Sequence, residues 1–260
     1  VNRIQRNDLM AYQKRTYTPL NIVVASAGAI SHEKFAEKVE RNFFGLKDRN
    51  INTFLQAKDC QGKPQINILS KNTEQTHLAL GFHSFKRAHP LRQALNLLHI
   101  IMGANMSSRL FEAVRESKGL AYEIGTQIKR FQDTGSFIVH AGIDNHKVNA
   151  AIEVIFKELE KVKHRLVSVG EFKRAKEFYL GQLALALEDT MDHMLWIGES
   201  TVSLDKTHSL NQIIKEAGKI KREDLRCVAQ GIFKKENINL ALIGPLEDKR
   251  DAIFNQLHIN

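Results

Sequence analysis

The residues whose types and spacing best suit chemistry lie between Ser107 and Tyr122, SSRLFEAVRESKGLAY. Arg115 falls in the last turn of a short helix that Ser107 or Ser108 opens and Gly119 ends, and Tyr122 follows at the start of a strand. The glycine break keeps the two from sharing one helix and lets a guanidinium and a phenol converge on a common space. Both groups donate hydrogen bonds and neither is a base, so the pair suits binding a carbonyl or stabilising an oxyanion. The structural alternative is that Arg115 caps helix carbonyls and Tyr122 packs at a sheet edge; residue type alone does not choose between them.

Other reactive residues form no complete set. The chain has eleven histidines, but no H-E-x-x-H, H-x-x-E-H or H-x-H run. His77 and His83 share a strand parity and His83 and His89 are six apart, yet neither pair has a carboxylate placed to complete a zinc site. Asp189 and His193 stand i,i+4 beside Asp192, which reads as a surface ion pair or as a carboxylate orienting an imidazole. There is no P-loop, no G-x-G-x-x-G after a strand and no G-x-S-x-G elbow. Cys60 and Cys227, the two cysteines, lack C-x-x-C spacing and read as ordinary thiols.

The elements that must position the Arg115 segment follow from periodicity. A helix is expected over Gln5 to Tyr17 with Asn7 as its cap, then a buried strand Leu20 to Ser26 (LNIVVAS), then a helix from Ser31 to about Phe44 closed by Gly45. The aperiodic stretch from Asn50 to Pro64 reads as an interdomain linker. A strand pair is expected at Gln65 to Ser70 and Thr76 to Phe82. A helix opened by Pro90 and stopped by Gly103 follows, then strands Ala121 to Phe131 and Gly135 to Ile143 around a short turn. Beyond Lys147 the pattern is helical, with a capping box at Ser168 to Glu171, until a strand Ile238 to Ile243 and a last helix to about Leu257. NINLALIGPLEDKRDAIFNQL loosely echoes LNIVVASAGAISHEKFAEKVERNF, as in a duplicated domain whose first copy is cut short. The fold class expected is α+β, antiparallel strands backed by helices.

Composition narrows the function classes. With 260 residues, 43% hydrophobic and 26% charged, the chain is long enough for one large domain or two smaller ones and is not a disordered tail or a coiled coil. Its apolar runs fall far short of a membrane span. The net charge of +9 raises nucleic-acid binding, but basic residues alternate with acids, as in KELEKVK, and no zinc-finger or RNP pattern occurs. Starting at Val1 with neither Met nor a signal-peptide segment, the sequence is expected to be a piece of something longer. It points to a soluble protein and leaves the compartment open, with the cytoplasm preferred.

The run SSRLFEAVRESKGLAY closely resembles the second-domain motif of the pitrilysin or insulinase family of zinc peptidases, which includes the mitochondrial processing peptidase. IQRNDLMAYQKRTYTPLNIVVASAGAISHEKFAEKVERNFFGL resembles the end of that family's first, zinc-bearing domain, and GEFKRAKEFYLGQLALALED a helix midway through the second. The resemblance implies a boundary near residue 60. Residues 1 to 60 would be the C-terminal remnant of the first domain, and 61 to 260 the second, substrate-contacting domain of a two-half chamber. It also implies that Arg115 and Tyr122 bind substrate across a cleft from zinc. The zinc would be held by an H-x-x-E-H helix and a downstream Glu that this chain lacks, so no metal ligand is expected here. The function implied is the C-terminal part of a zinc metalloendopeptidase acting on peptides or unfolded proteins, inactive alone and completed by a zinc-bearing first domain or partner subunit. The alternative within the family is a catalytically inactive partner subunit or scaffold. A truncated domain would expose apolar surface, so homo-oligomerisation of this piece would be unsurprising.

Overall fold

The computed structural model describes residues 3–47, 54–58, 60–207, 209–246 and 253. The chain divides into two compact units, Val1–Gln56 with Leu183–Leu210, and Ala57–Gln182 with Asn211–Asn260. In chain order the elements are α1 (Arg6–Thr16), α2 (His32–Phe43), β1 (Gln65–Ser70), β2 (Gln75–Ser84), α3 (Arg92–Gly103), a π-helical turn (Phe111–Glu116), β3 (Ala121–Arg130) and β4 (Gly135–Asp144). They continue as α4 (Val148–His164), α5 (Val169–Ala186), α6 (Thr190–Leu204), α7 (Leu210–Lys219), α8 (Arg222–Ile232) and β5 (Asn239–Gly244). No helix among the described residues is long and apolar enough to cross a membrane.

In the larger unit a five-stranded sheet runs β1-β5-β2-β4-β3. The α+β reading holds, with one addition: β1 pairs parallel to β5, while the other pairs are antiparallel. The expected β1–β2 pairing does not form, because β5, from far along the chain, sits between them. Alternation along each strand decides which face is covered. Leu78, Leu80 and Phe82 of β2 and Phe137, Val139, Ala141 and Ile143 of β4 are buried, while His77, Ala79 and His140 are exposed. The buried face meets α3, α4 and α8. Phe233 closes this core edge-on against Phe82 and Phe137, with ring centroids 5.1 and 5.2 Å away. Each helix supplies an apolar stripe: Leu95, Leu98 and Met102 from α3, Ile152, Ile155 and Leu159 from α4, and Leu225, Val228 and Ile232 from α8.

The smaller unit is built differently. The α1 cap is Gln5 rather than Asn7, because Asp8 Oδ2 accepts from the Gln5 backbone N–H at 2.9 Å. Ser31 caps α2 and Gly45 follows it at φ +89°. Leu20–Ser26, expected as a buried strand, joins no sheet: residues 19–21 form a single 3-10 turn and the remainder has no ladder partner. Leu20, Val23 and Val24 stand exposed. An apolar, β-branched run becomes a strand only where another strand pairs with it, and no described residue does so. No hydrophobic side chain described in this unit is buried. The linker expected over 50 to 64 and the helix expected to run to Leu257 lie in part outside the described residues.

Candidate functional site

The segment carrying Arg115 is a helix widened by one residue. Ser117 N–H donates to Glu112 O and Leu120 N–H to Val114 O, both at 2.9 Å, while Gly119 N–H returns to Arg115 O at 2.9 Å. These closures are one residue longer than those of an ordinary helix end, as a π turn requires, and Gly119 adopts the left-handed φ of +55° that ends it. Leu110 and Val114 anchor the turn in the core and leave Phe111 and Arg115 along its rim. Neither serine caps it as expected. Ser108 contributes its backbone carbonyl to Glu112 N–H, and its hydroxyl is buried with no partner among the described residues.

Arg115 is about half exposed. Its guanidinium carbon sits 4.8 Å from the centroid of the Phe111 ring, and the nearest described carboxylate, Glu116, is 3.9 Å from Nε, beyond hydrogen-bond range. Tyr122 occupies a β-bulge. Ala121 pairs with Ile143 and Glu123 with Gly142, which leaves Tyr122 outside the ladder, 64% exposed, its hydroxyl without a partner among the described residues. A bulge re-aims one side chain without disturbing the rest of the strand. Both candidate residues therefore project from one junction, the π turn and the start of β3, and no hydrogen bond joins them.

Several neighbours that sequence reasoning missed hold this junction. Arg109 Nε and Nη2 donate to the two carboxylate oxygens of Glu171 at 2.7 and 2.8 Å, fastening the start of the turn to α5. That bidentate bond raises the Arg109 pKa further. The Glu171 backbone N–H donates to Ser168 Oγ at 3.1 Å, the serine half of the expected capping box, while the Glu171 carboxylate goes to Arg109 instead. Beside the junction opens a pocket of roughly 420 Å³, with His99, Asn105, Phe111, Glu123, Thr126 and His140 among its walls. His99 Nδ1 and Thr126 Oγ1 are 2.7 Å apart. Burial, with Arg130 and His140 nearby, pushes the His99 pKa down to about 4, so the ring is neutral at pH 7. The signals were present in part: Arg109 and Glu171 both lie in the quoted family-like runs, but nothing local says that they meet.

The remaining candidates separate. Asp189 does not orient His193; its Oδ1 caps α6, accepting from Met191 N–H at 2.8 Å and Asp192 N–H at 3.0 Å. His193 lies instead near Trp196, with ring centroids 6.0 Å apart. His77 and His83 lie on the outward side of β2, and His89 stacks on Phe85 at 3.9 Å. Cys60 and Cys227 are free and exposed. Among the described residues no group of three or more His, Cys, Asp or Glu side chains is placed to hold a metal ion.

Comparison with known proteins adds what geometry cannot. Residues 3–179 match the family model described as the peptidase M16 inactive domain. The uncharacterized zinc protease YmxG of Bacillus subtilis is 32% identical over 239 residues, covering 92% of this chain and 58% of that protein. An uncharacterized zinc protease of Streptomyces coelicolor is 30% identical over 256 residues, covering 96% of this chain and 56% of that one. The chain thus spans less than two thirds of the length of these relatives. In three dimensions it resembles a protease from Helicobacter pylori (TM-score 0.87, 22% identity, 94% of this chain and 60% of that one). It also resembles a peptidase M16 inactive domain from Pseudomonas fluorescens (TM-score 0.84, 18% identity, 94% and 58%).

Proposed function

Because the chain belongs to the peptidase M16 family, as its inactive domain, we propose that it is the substrate-contacting half of a zinc metalloendopeptidase, with Arg115 and Tyr122 binding the peptide. In this reading residues 1 to about 60 finish the zinc-bearing half, and the two halves enclose the substrate. The zinc comes with the other half, on the same polypeptide or on a partner subunit, since the described donors here do not gather into a metal site. The work left to this chain is hydrogen bonding. A guanidinium and a phenol present N–H and O–H donors to a scissile carbonyl oxygen and hold it more tightly as negative charge develops on it.

The observation that carries the reading is the bulge at Tyr122 beside the π turn of Arg115. Each irregularity lifts a polar side chain off an otherwise regular element and leaves its donors unspent. The test is steady-state turnover of a fluorogenic peptide by the complete protein, zinc half included, with Arg115→Ala and Tyr122→Phe. Removing an oxyanion donor is expected to lower kcat/KM by about 10²–10³, or roughly 3–4 kcal/mol of transition-state stabilisation. Unchanged turnover in both variants removes the assigned roles. A complete protein that binds no zinc and cleaves nothing points instead to a partner subunit or scaffold.

A further inference from the structure

An exposed arginine that binds substrate must be held still without spending its donors, and the ring beneath Arg115 supplies the means. Among the described residues Arg115 has no carboxylate within hydrogen-bond range, Glu116 standing 3.9 Å from Nε, and the Phe111 ring centroid lies 4.8 Å from its guanidinium carbon. A carboxylate partner would fix a guanidinium by occupying its N–H edge and would cancel its charge. An aromatic face fixes it from the flat side, leaving the five edge donors and the full charge available.

Phe111 is itself well placed to act as a support. It packs partly buried against the core between the fully buried Leu110 and the rest of the turn, and it forms a wall of the pocket shared with His99 and Thr126. The preceding residue but one, Arg109, is tied to Glu171 through two hydrogen bonds. The turn's far end is locked by Gly119. A ring on so constrained a segment has little freedom to carry the arginine away.

We infer that Phe111 is the positioning residue for Arg115, presenting its aromatic face so that the guanidinium meets the substrate with all its donors free. This rests on the substrate-binding role proposed for Arg115. It touches no substrate itself, and its effect passes through the arginine.

The experiment is a double-mutant cycle on the complete protein, read as kcat and KM with a fluorogenic peptide. Phe111→Leu keeps the apolar bulk and removes the π face. It is expected to lower kcat about three- to tenfold with KM and thermal midpoint little changed. Phe111→Tyr keeps the face and is expected to restore wild-type kcat. In an Arg115→Ala background, Phe111→Leu is expected to cost nothing further, because there is no guanidinium left to position. A wild-type kcat in Phe111→Leu overturns the inference, as does a full second loss on top of Arg115→Ala. If Phe111→Leu folds poorly, Phe111→Met carries the same cycle. A wild-type rate in Arg115→Ala alone would show that the underlying role of Arg115 has failed, an outcome distinct from failure of the ring.

Discussion

His99 shows how one wall of the pocket beside the π turn is kept uncharged. Desolvation chiefly, then the neighbours Arg130 and His140, hold its pKa at about 4 against an ordinary 6.5. Its neutral form suits the 2.7 Å contact with Thr126 Oγ1, and Glu123 is the one carboxylate among the described walls of the pocket. The depressed value has a thermodynamic consequence. Between pH 6.5 and 4 the unfolded chain binds a proton at this ring that the folded chain refuses, so stability falls as the pH drops through that window and is constant with respect to this group above it. The full loss approaches about 3 kcal/mol if the ring stays dry. Urea melts by far-UV circular dichroism at pH 7 and pH 4.5 are expected to show a steeper acid loss in wild type than in His99→Gln, which has nothing to protonate. Equal losses in the two proteins would mean that the imidazole is hydrated and titrates normally.

At the scale of elements, the junction depends on Gly119. A Cβ there meets no described atom within 4 Å, so the cost of Gly119→Ala arises from the φ of +55°. That cost is expected to be about 1 kcal/mol in a urea melt, with Gly119→Asn losing less. A much larger loss would mean that the π turn has no other way to end. This glycine was legible in the sequence, as were α3, α4, the β3–β4 hairpin and the Ser168 cap, because each is set by periodicity or by a residue with a local conformational demand. What was not legible depends on distant partners or on a single inserted residue. The pairing of β1 with β5 joins Gln65 to Asn239, and nothing in either strand names the other. The π turn and the bulge at Tyr122 each add one residue to a regular element, too little to disturb its pattern. The run Leu20–Ser26 misled for the opposite reason: its composition is that of a strand, and the strand it needs is not among the described residues. For the candidate site, residue types at 115 and 122 were readable, while the supports, Phe111 and the Arg109–Glu171 pair, came only with the fold.

The two units of the whole molecule differ in how they are held together, and one residue reports on the weaker. The unit containing the sheet has a continuous buried core, whereas the described part of the other exposes Leu9, Tyr12, Leu20, Phe44, Met191, Leu195 and Val202 and buries no hydrophobic side chain. On the proposed reading, the zinc-bearing half covers these groups and supplies strands for Leu20–Ser26. Burial of apolar area is the main source of folding free energy, so the smaller unit of the isolated chain has little to stabilise it. Trp196, the single tryptophan, lies in α6 within that unit, while most of the described strand and helix lies in the other. Unfolding of the isolated 260-residue chain is therefore expected to be non-coincident: Trp196 emission red-shifts at lower urea than the far-UV circular dichroism is lost. In the complete protein, with the apolar groups covered, the Trp196 transition is expected to move to higher urea, towards that of the sheet. Coincident transitions in the isolated chain would mean that the smaller unit, residues 183–210 included, is stable without a covering half, and the proposed covering of its exposed apolar groups would then have to be given up.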